Sequence, residues 1–464
     1  MDPPEKAGKR RGAAAPDGGY AWLILLSCFF VFGLTFGVIK SFGIFFVEIQ
    51  QYFETTAAGT SWITSIAVAT IHIAAPVSSA LSARFSHRAV VISGGLICSA
   101  AVVFGALARS LTELYITVGF LNGFGYALTW TPTVTMLGLY FDRRRPVANA
   151  LASAGECILT FSLTPLFQLL IDSFSWRGAL LILGGLQLNL CVCGMLLRPL
   201  RAPRDANVIR KVKEEEESLQ KGDLEETKRG FRLETGPKRT QLRTRVQHYV
   251  DYTLITNGRF MVYSMFGVFA ALGFFAPSLF LVPYARSQGL NEYQAAALLS
   301  ISAVLDLFGR IFFGWVANLR LIQTEQVQQL TATVVLLGAV LLLCPLASTF
   351  PELVAFSAAH GLVYGATVAV HITVLPEVVG VERLGSALGF FMLIRSSGGL
   401  LGPPVAGFFI DKMENYGMGF LMSGVALIVS ALFLLILHQM NQQSQKTATD
   451  AALTEKKIWK KCFC

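Results

Sequence analysis

AAALLSISAVLDLFGRIFFGWVA (295–317) is an apolar run with Asp306 and Arg310 set inside it. It is long enough for one membrane crossing, since a bilayer's hydrocarbon core takes about 20 residues of helix. Spacing of four puts the two side chains on one helical face, one turn apart. A single Asp or Arg at the centre of such a helix costs about 2.5–3.5 kcal/mol on insertion scales, so the pair must face protein or a water-filled cavity. The stretch therefore predicts a helix inside a membrane bundle and marks an ion or substrate path.

The rest of the chain has the same character. Of its 464 residues 53% are hydrophobic and 14% charged, against about 25% charged in a soluble domain. Candidate spans are 20–46, 60–84, 88–108, 112–138, 146–171 and 178–197, then 260–286, 293–317, 327–347, 351–376, 384–410 and 417–438. The expected fold class is all-α: a polytopic membrane protein with twelve transmembrane helices in two six-helix halves. The expected domains are an N-terminal segment (1–19), the first half (20–198), a linker (199–259), the second half (260–438) and a tail (439–464). The residues before Tyr20 are polar and basic and do not read as a removable signal peptide.

Lys and Arg gather on alternate loops: Lys6 to Arg11, Arg84 and Arg88, Arg143 to Arg145, the linker, Arg320, Arg383 and the tail. The other loops hold Arg109, Arg177, Arg286 and Lys412. Positive loops stay inside, so both termini are expected to be cytoplasmic, which an even number of spans satisfies. The linker, with EEEESLQKGDLEETKRG and GPKRTQLRTR, has the mixed-charge composition of a solvated tether. The net charge of +9 belongs to these basic loops, and nucleic acid is not an expected partner. Six of the eight cysteines lie in apolar segments, and none forms a CxxC or clusters with His, so neither a disulfide framework nor a metal site is expected. No Asn-x-Ser/Thr glycan acceptor occurs.

The ionisable groups inside the spans are Lys40, Glu156, Asp306, Arg310 and Arg395, with His72 and His371 as secondary candidates. Three cations and two anions leave one positive charge in excess, which suits one monoanion. A proton entering with the anion would keep the cargo neutral and spare it about 2.3 kcal/mol per charge per 100 mV of membrane potential. Blander readings stand beside this. Asp306–Arg310 is also the pattern of a structural ion pair. Lys40 is also placed to snorkel to the outer interface. Glu156 and Arg395 would also neutralise each other between the halves, and Glu48, Glu54 and Arg286 lie at span ends, where water reaches them. The spans lack a His-Glu metal motif, a Gly-x-Ser-x-Gly elbow and paired catalytic aspartates, so an enzyme is not expected.

These residues fall within motifs. DGGYAW (17–22), YFDRRRPVANALASAG (140–155), FSWRGALLILGG (174–185), RPL (198–200) and LLGPPVAG (400–407) resemble the signatures of the monocarboxylate transporter family of the major facilitator superfamily. The resemblance covers about residues 16–438. Arg395 stands where lactate-type members carry an acid and Glu156 where they carry a small polar residue, while SAGEC (153–157) and VIKSFG (38–43) look closer to the less-studied branch.

The resemblance implies secondary active transport of a monocarboxylate across the plasma membrane, by proton-linked symport with alternating access and a site between the halves. Lys40 takes the proton and attracts the carboxylate, Asp306 receives the proton, and Arg310 holds the carboxylate; the ionisable groups read from the spans add Arg395 as a substrate-binding residue and Glu156 and His371 as accessory cavity residues. Protons are then the coupling ion, and no other cofactor is implied. Proton-independent facilitated passage of another small organic acid or zwitterion is the alternative. The implied partners are the substrate, the lipid bilayer and a single-span immunoglobulin-like accessory glycoprotein, which some lactate-type members need. KKIWKKCFC (456–464) sets thiols in a polybasic patch, the pattern of reversible acylation.

Overall fold

The computed structural model describes residues 18–141, 144–198, 254, 256–317, 326–379 and 384–462. Among these residues the chain is helical, and nine stretches are long and apolar enough to cross a bilayer. One of them, Val147–Leu196, makes two crossings, because Ser175 (φ 63°, ψ 170°) turns the chain between them. Residues 111–140, interrupted by a π-helical turn at Tyr115–Leu121, and the helix Leu384–Met413 complete the twelve spans.

The ends of several spans differ from expectation. Span 1 contains a π-helical turn at Gly33–Gly37 and continues through Gly43–Tyr52, beyond the expected end at 46. Span 7 is two helices, Gly258–Phe274 and Ala276–Ser287, meeting at Phe275 next to Pro277. A proline has no N–H to continue the ladder and restrains the residue before it. Span 12 runs Gly417–Cys462, so the tail continues the helix instead of leaving it at 438. Most of the expected linker and the N-terminal segment before Gly18 lie outside the described residues.

Span 8, Glu292–Ala317, shows how a membrane bundle reverses the usual arrangement. Phe308, Ile311, Phe312 and Trp315 point outward and are more than half exposed, whereas Asp306 is only 2% exposed. The apolar stripe meets lipid, and the two charges turn into the bundle, where other side chains satisfy them.

Span 2 lies along span 11 and span 5 along span 8, so the halves pack through these two pairs. At one face the contact becomes a seal. Asp411, near the end of span 11, accepts hydrogen bonds from the Ala57 and Ala58 N–H groups at 2.7 and 2.9 Å. These donors open the helix Ala57–Arg84 and have no partner within it, so a carboxylate from the other half supplies one. Beside this contact, Arg286 reaches Glu48 across the interface at 3.1 Å and Glu292 at 2.6 Å. Gln168 donates to Glu292 at 3.0 Å, and Tyr416 donates to Gln50 at 3.0 Å. Glu48 and Arg286 are thus paired and partly buried, which replaces the expectation that water surrounds them.

Loss of the Asp411 contacts is expected to loosen this seal. A hydrogen bond to a charged group contributes about 1.5–3 kcal/mol. Asp411→Ala should therefore make a thiol at Ser278→Cys, just beneath the seal, react faster with a polar maleimide in detergent. Equal labelling rates with and without Asp411 would show that the contact does not hold the face shut.

Candidate functional site

Two close helix contacts place the ionisable residues. In span 5, a Cβ on Gly155 would run into the Phe29 carbonyl of span 1, so glycine lets the two backbones touch where Glu156 follows. In span 10, a Cβ on Gly365 would run into the Asp306 carbonyl, and glycine lets span 10 lie directly on span 8. The π-helical turn at Gly33–Gly37 shifts the phase of span 1 just ahead of Lys40. Small residues give membrane helices this close approach.

Four charges close into a ring between the halves. Lys40 Nζ lies 2.7 Å from Glu156 Oε1 and 2.8 Å from Asp306 Oδ2. Arg310 holds Asp306 through Nε at 2.7 Å and Nη2 at 3.0 Å, and reaches Glu156 Oε2 through Nη1 at 3.0 Å. Each carboxylate therefore meets both cations, and the ring has no net charge. Lys40 and Glu156 come from the first half, Asp306 and Arg310 from the second. Asp306, Arg310 and Glu156 are all buried. Removing one member of a buried ion pair typically costs 3–5 kcal/mol, because it leaves a charge uncompensated.

The expected residues separate into two groups. Glu156 does not neutralise Arg395: it is taken by Lys40 and Arg310. Lys40 does not snorkel away: its ammonium sits inside the ring, 4.5 Å from the centre of the Tyr364 ring. The Asp306–Arg310 pair exists, but it is half of a four-membered arrangement. Arg395 stands apart, with its guanidinium 5.6 Å from the centre of the Phe274 ring. Its Nε is buried without a hydrogen-bond partner, and among the described residues no carboxylate pairs with it. Phe274 packs edge-on against Tyr364 at 5.7 Å, so two aromatic rings separate Arg395 from Lys40.

His72 and His371 lie within Coulombic reach of Arg395. His72 Nδ1 meets the Val68 carbonyl at 2.8 Å. The His371 ring packs among Tyr263, Phe266 and Phe391, and its Nε2 is buried without a partner among the described residues. On the other side of the charge ring, a cavity of about 40 Å³ touches Lys40, Asp306, Ser302, Tyr364 and His360. His360 was missed in the sequence, although AFSAAHGLVYG (355–365) carried the same signal as His371: an ionisable group inside a span. Among the described residues no three His, Cys, Asp or Glu side chains converge as metal ligands would.

Known proteins agree with this architecture. The sequence profile of the Major Facilitator Superfamily matches residues 25–325 and 328–463. The chain is 37% identical to monocarboxylate transporter 2 of Mesocricetus auratus over 92% of this chain and 85% of that protein. It is 39% identical to monocarboxylate transporter 12 of Mus musculus over 91% of this chain and 86% of that protein. Its fold matches a bacterial homologue of the human lysosomal transporter Spinster, in an inward-facing and occupied conformation, with a TM-score of 0.65 at 15% identity. That match covers 90% of this chain and 97% of the other.

Since the ring is neutral as a unit, its members should be coupled in stability. Glu156→Gln alone leaves an excess positive charge, whereas Lys40→Met with Glu156→Gln restores neutrality. The double variant is expected to cost less than the sum of the two single variants, by about 0.5–3 kcal/mol. Thermal unfolding of the four proteins in detergent measures the difference. Additive losses would show that the ring does not act as one unit.

Proposed function

The chain belongs to the monocarboxylate transporter family of the major facilitator superfamily, and from that premise we propose that it carries a small monocarboxylate by proton-linked symport. It is a multi-pass membrane transporter and not an enzyme. The proposal places it in the plasma membrane with both termini cytoplasmic, in line with the basic loops. The face sealed by Asp411 and Arg286 is then extracellular, and the conformation faces inward. A single-span accessory glycoprotein is the partner proposed for surface delivery.

The observation that supports coupling is the division of charge into a neutral ring and one cation, Arg395, which has no carboxylate partner among the described residues. A neutral ring attracts no anion. If Asp306 takes a proton, the ring gains one positive charge, and the Arg310 fork and the Lys40 ammonium each lose a partner. A monoanion then restores neutrality, held by the planar guanidinium of Arg310, which can grip both carboxylate oxygens. Proton and carboxylate thus favour each other's binding, and neither is well accommodated alone. The carrier also has the same charge empty as when loaded with one proton and one monoanion, so the cycle moves no net charge.

Arg395 gives the anion a second station. It lies 18 positions before Met413, roughly 27 Å of helix from the sealed face, against roughly 21 Å for Asp306 measured from Glu292. On the inward-facing reading, Arg395 is the last cation an entering anion leaves and the first a departing one meets. Its separation from the ring also favours the second reading: an anion bound at Arg395 alone, crossing without a proton. The two readings differ electrically. Symport is electroneutral, whereas proton-independent passage carries one negative charge and works against about 2.3 kcal/mol per 100 mV.

Uptake of labelled acetate, pyruvate and β-hydroxybutyrate at external pH 6 and 7.5, with membrane current and internal pH recorded, tests the proposal. Symport is expected to give faster uptake at pH 6, cytoplasmic acidification and no substrate-dependent current. Flux indifferent to pH, accompanied by current, would remove the ring from a proton path. Asp306→Asn should abolish the pH stimulation. Arg395→Gln should raise KM by roughly 10- to 150-fold, the equivalent of one charge-assisted hydrogen bond of about 1.5–3 kcal/mol, and Arg395→Lys should recover part of the loss. An unchanged KM in Arg395→Gln would take that residue out of the substrate site.

A further inference from the structure

His360 is an ionisable side chain buried in the bundle that the ring does not use. It lies 10 positions into span 10 from Phe350, roughly 15 Å of helix from the sealed face. Asp306, in span 8, lies roughly 21 Å below the same face by the same measure. His360 therefore sits between the Arg286–Glu48–Glu292 seal and the charge ring. Its Nδ1 is 3.2 Å from Ser302 Oγ, and Ser302 precedes Asp306 by one helical turn. Packing holds the imidazole in this position: Phe356 and Tyr364 stack on its two sides, with ring centres at 5.9 and 5.8 Å. Gly361, beside it, brings the span 10 backbone against the Ser302 carbonyl.

The cavity at this point is lined by His360, Ser302, Ser278, Thr160, Tyr364, Lys40 and Asp306 among apolar neighbours. Its volume of about 40 Å³ has room for roughly three waters, and its wall offers the two to four polar contacts each water requires. The charged and titratable groups facing the imidazole are Lys40 from span 1, Asp306 from span 8 and Tyr364 from span 10. Spans 5 and 7 present the hydroxyls of Thr160 and Ser278, and span 9 (Gln326–Leu343) has no ionisable residue.

We propose that His360 is the proton-relay residue between the sealed face and the charge ring. This rests on the symport reading and adds the route by which the proton reaches Asp306. An imidazole nitrogen accepts a proton from a hydronium arriving from the side of the seal, so that one O–H bond breaks and one N–H bond forms. The imidazolium gives up the proton on its other nitrogen to Ser302 Oγ, and the hydroxyl hydrogen passes through cavity water to the Asp306 carboxylate. One proton has moved, the imidazole is neutral again, and the ring carries the positive charge that draws the anion. Lys40, sharing Asp306 and the same cavity, orients the carboxylate that receives the proton.

The test uses the full-length protein in proteoliposomes with labelled acetate, pyruvate and β-hydroxybutyrate. Two fluxes are compared: uptake driven by an inward proton gradient, and exchange at equal pH, which requires no net proton movement. His360→Gln keeps a hydrogen-bonding side chain near Ser302 but does not titrate. It is expected to slow gradient-driven uptake about 10-fold or more beyond any effect on exchange. Added imidazole should restore part of that uptake, and His360→Phe, which keeps the stacking, should behave like His360→Gln. Equal slowing of both fluxes, or no slowing of either, would overturn the relay while leaving symport in place. Wild-type protein whose uptake ignores the proton gradient would overturn symport and the relay together.

Discussion

A charged side chain inside the hydrocarbon thickness is costly unless an opposite charge within the bundle compensates it. Lys40, Glu156, Asp306 and Arg310 meet this by closing on one another, two from each half. Much of the architecture around them follows from the need to bring those atoms within hydrogen-bonding distance. Spans 1 and 5 touch at Gly155, and spans 8 and 10 touch at Gly365, so that Glu156 and Asp306 can approach from opposite sides. The lipid-facing side of span 8 is free to be wholly apolar because its charged side is satisfied within the bundle.

The same ring ties binding to conformation. It crosses the interface between the halves, as do the Asp411 and Arg286 contacts above it, so the sealed state is held by electrostatic contacts at two levels. A carrier that rocks its halves must remake or replace these contacts. A protonated carboxylate and a bound anion are the charge changes that would alter the balance at the ring. The seal above it combines these polar and charged contacts with an apolar one, since Phe46 of the first half packs edge-on against Phe280 of the second at 5.4 Å.

Much was legible before any coordinates. The apolar runs, their length and the polar interval near the middle were enough for twelve helices in two halves, because a bilayer leaves a spanning chain few alternatives. The expense of an intramembrane charge singled out Lys40, Glu156, Asp306, Arg310 and Arg395. The grouping among these residues was not legible. Glu156 and Arg395 are opposite charges in facing halves and looked like partners, yet Glu156 turns to Lys40 and Arg310. Glu48 and Arg286 looked solvated because sequence position shows a span end without showing that another span end lies against it. His360 carries the same sequence signal as His371, and the cavity it shares with Asp306 is what distinguishes it.

The sequence by itself therefore determined the fold class, the family and the short roster of charged residues, since helix length, apolar composition and the cost of buried charge are properties of local segments. The tertiary structure decided which charge faces which, where a polar cavity remains, and that Arg395 has no carboxylate partner among the described residues. Pairing depends on distances of about 3 Å between atoms on helices far apart in the chain. Those distances are set by close helix packing and by the π-helical turn ahead of Lys40, neither of which residue spacing encodes.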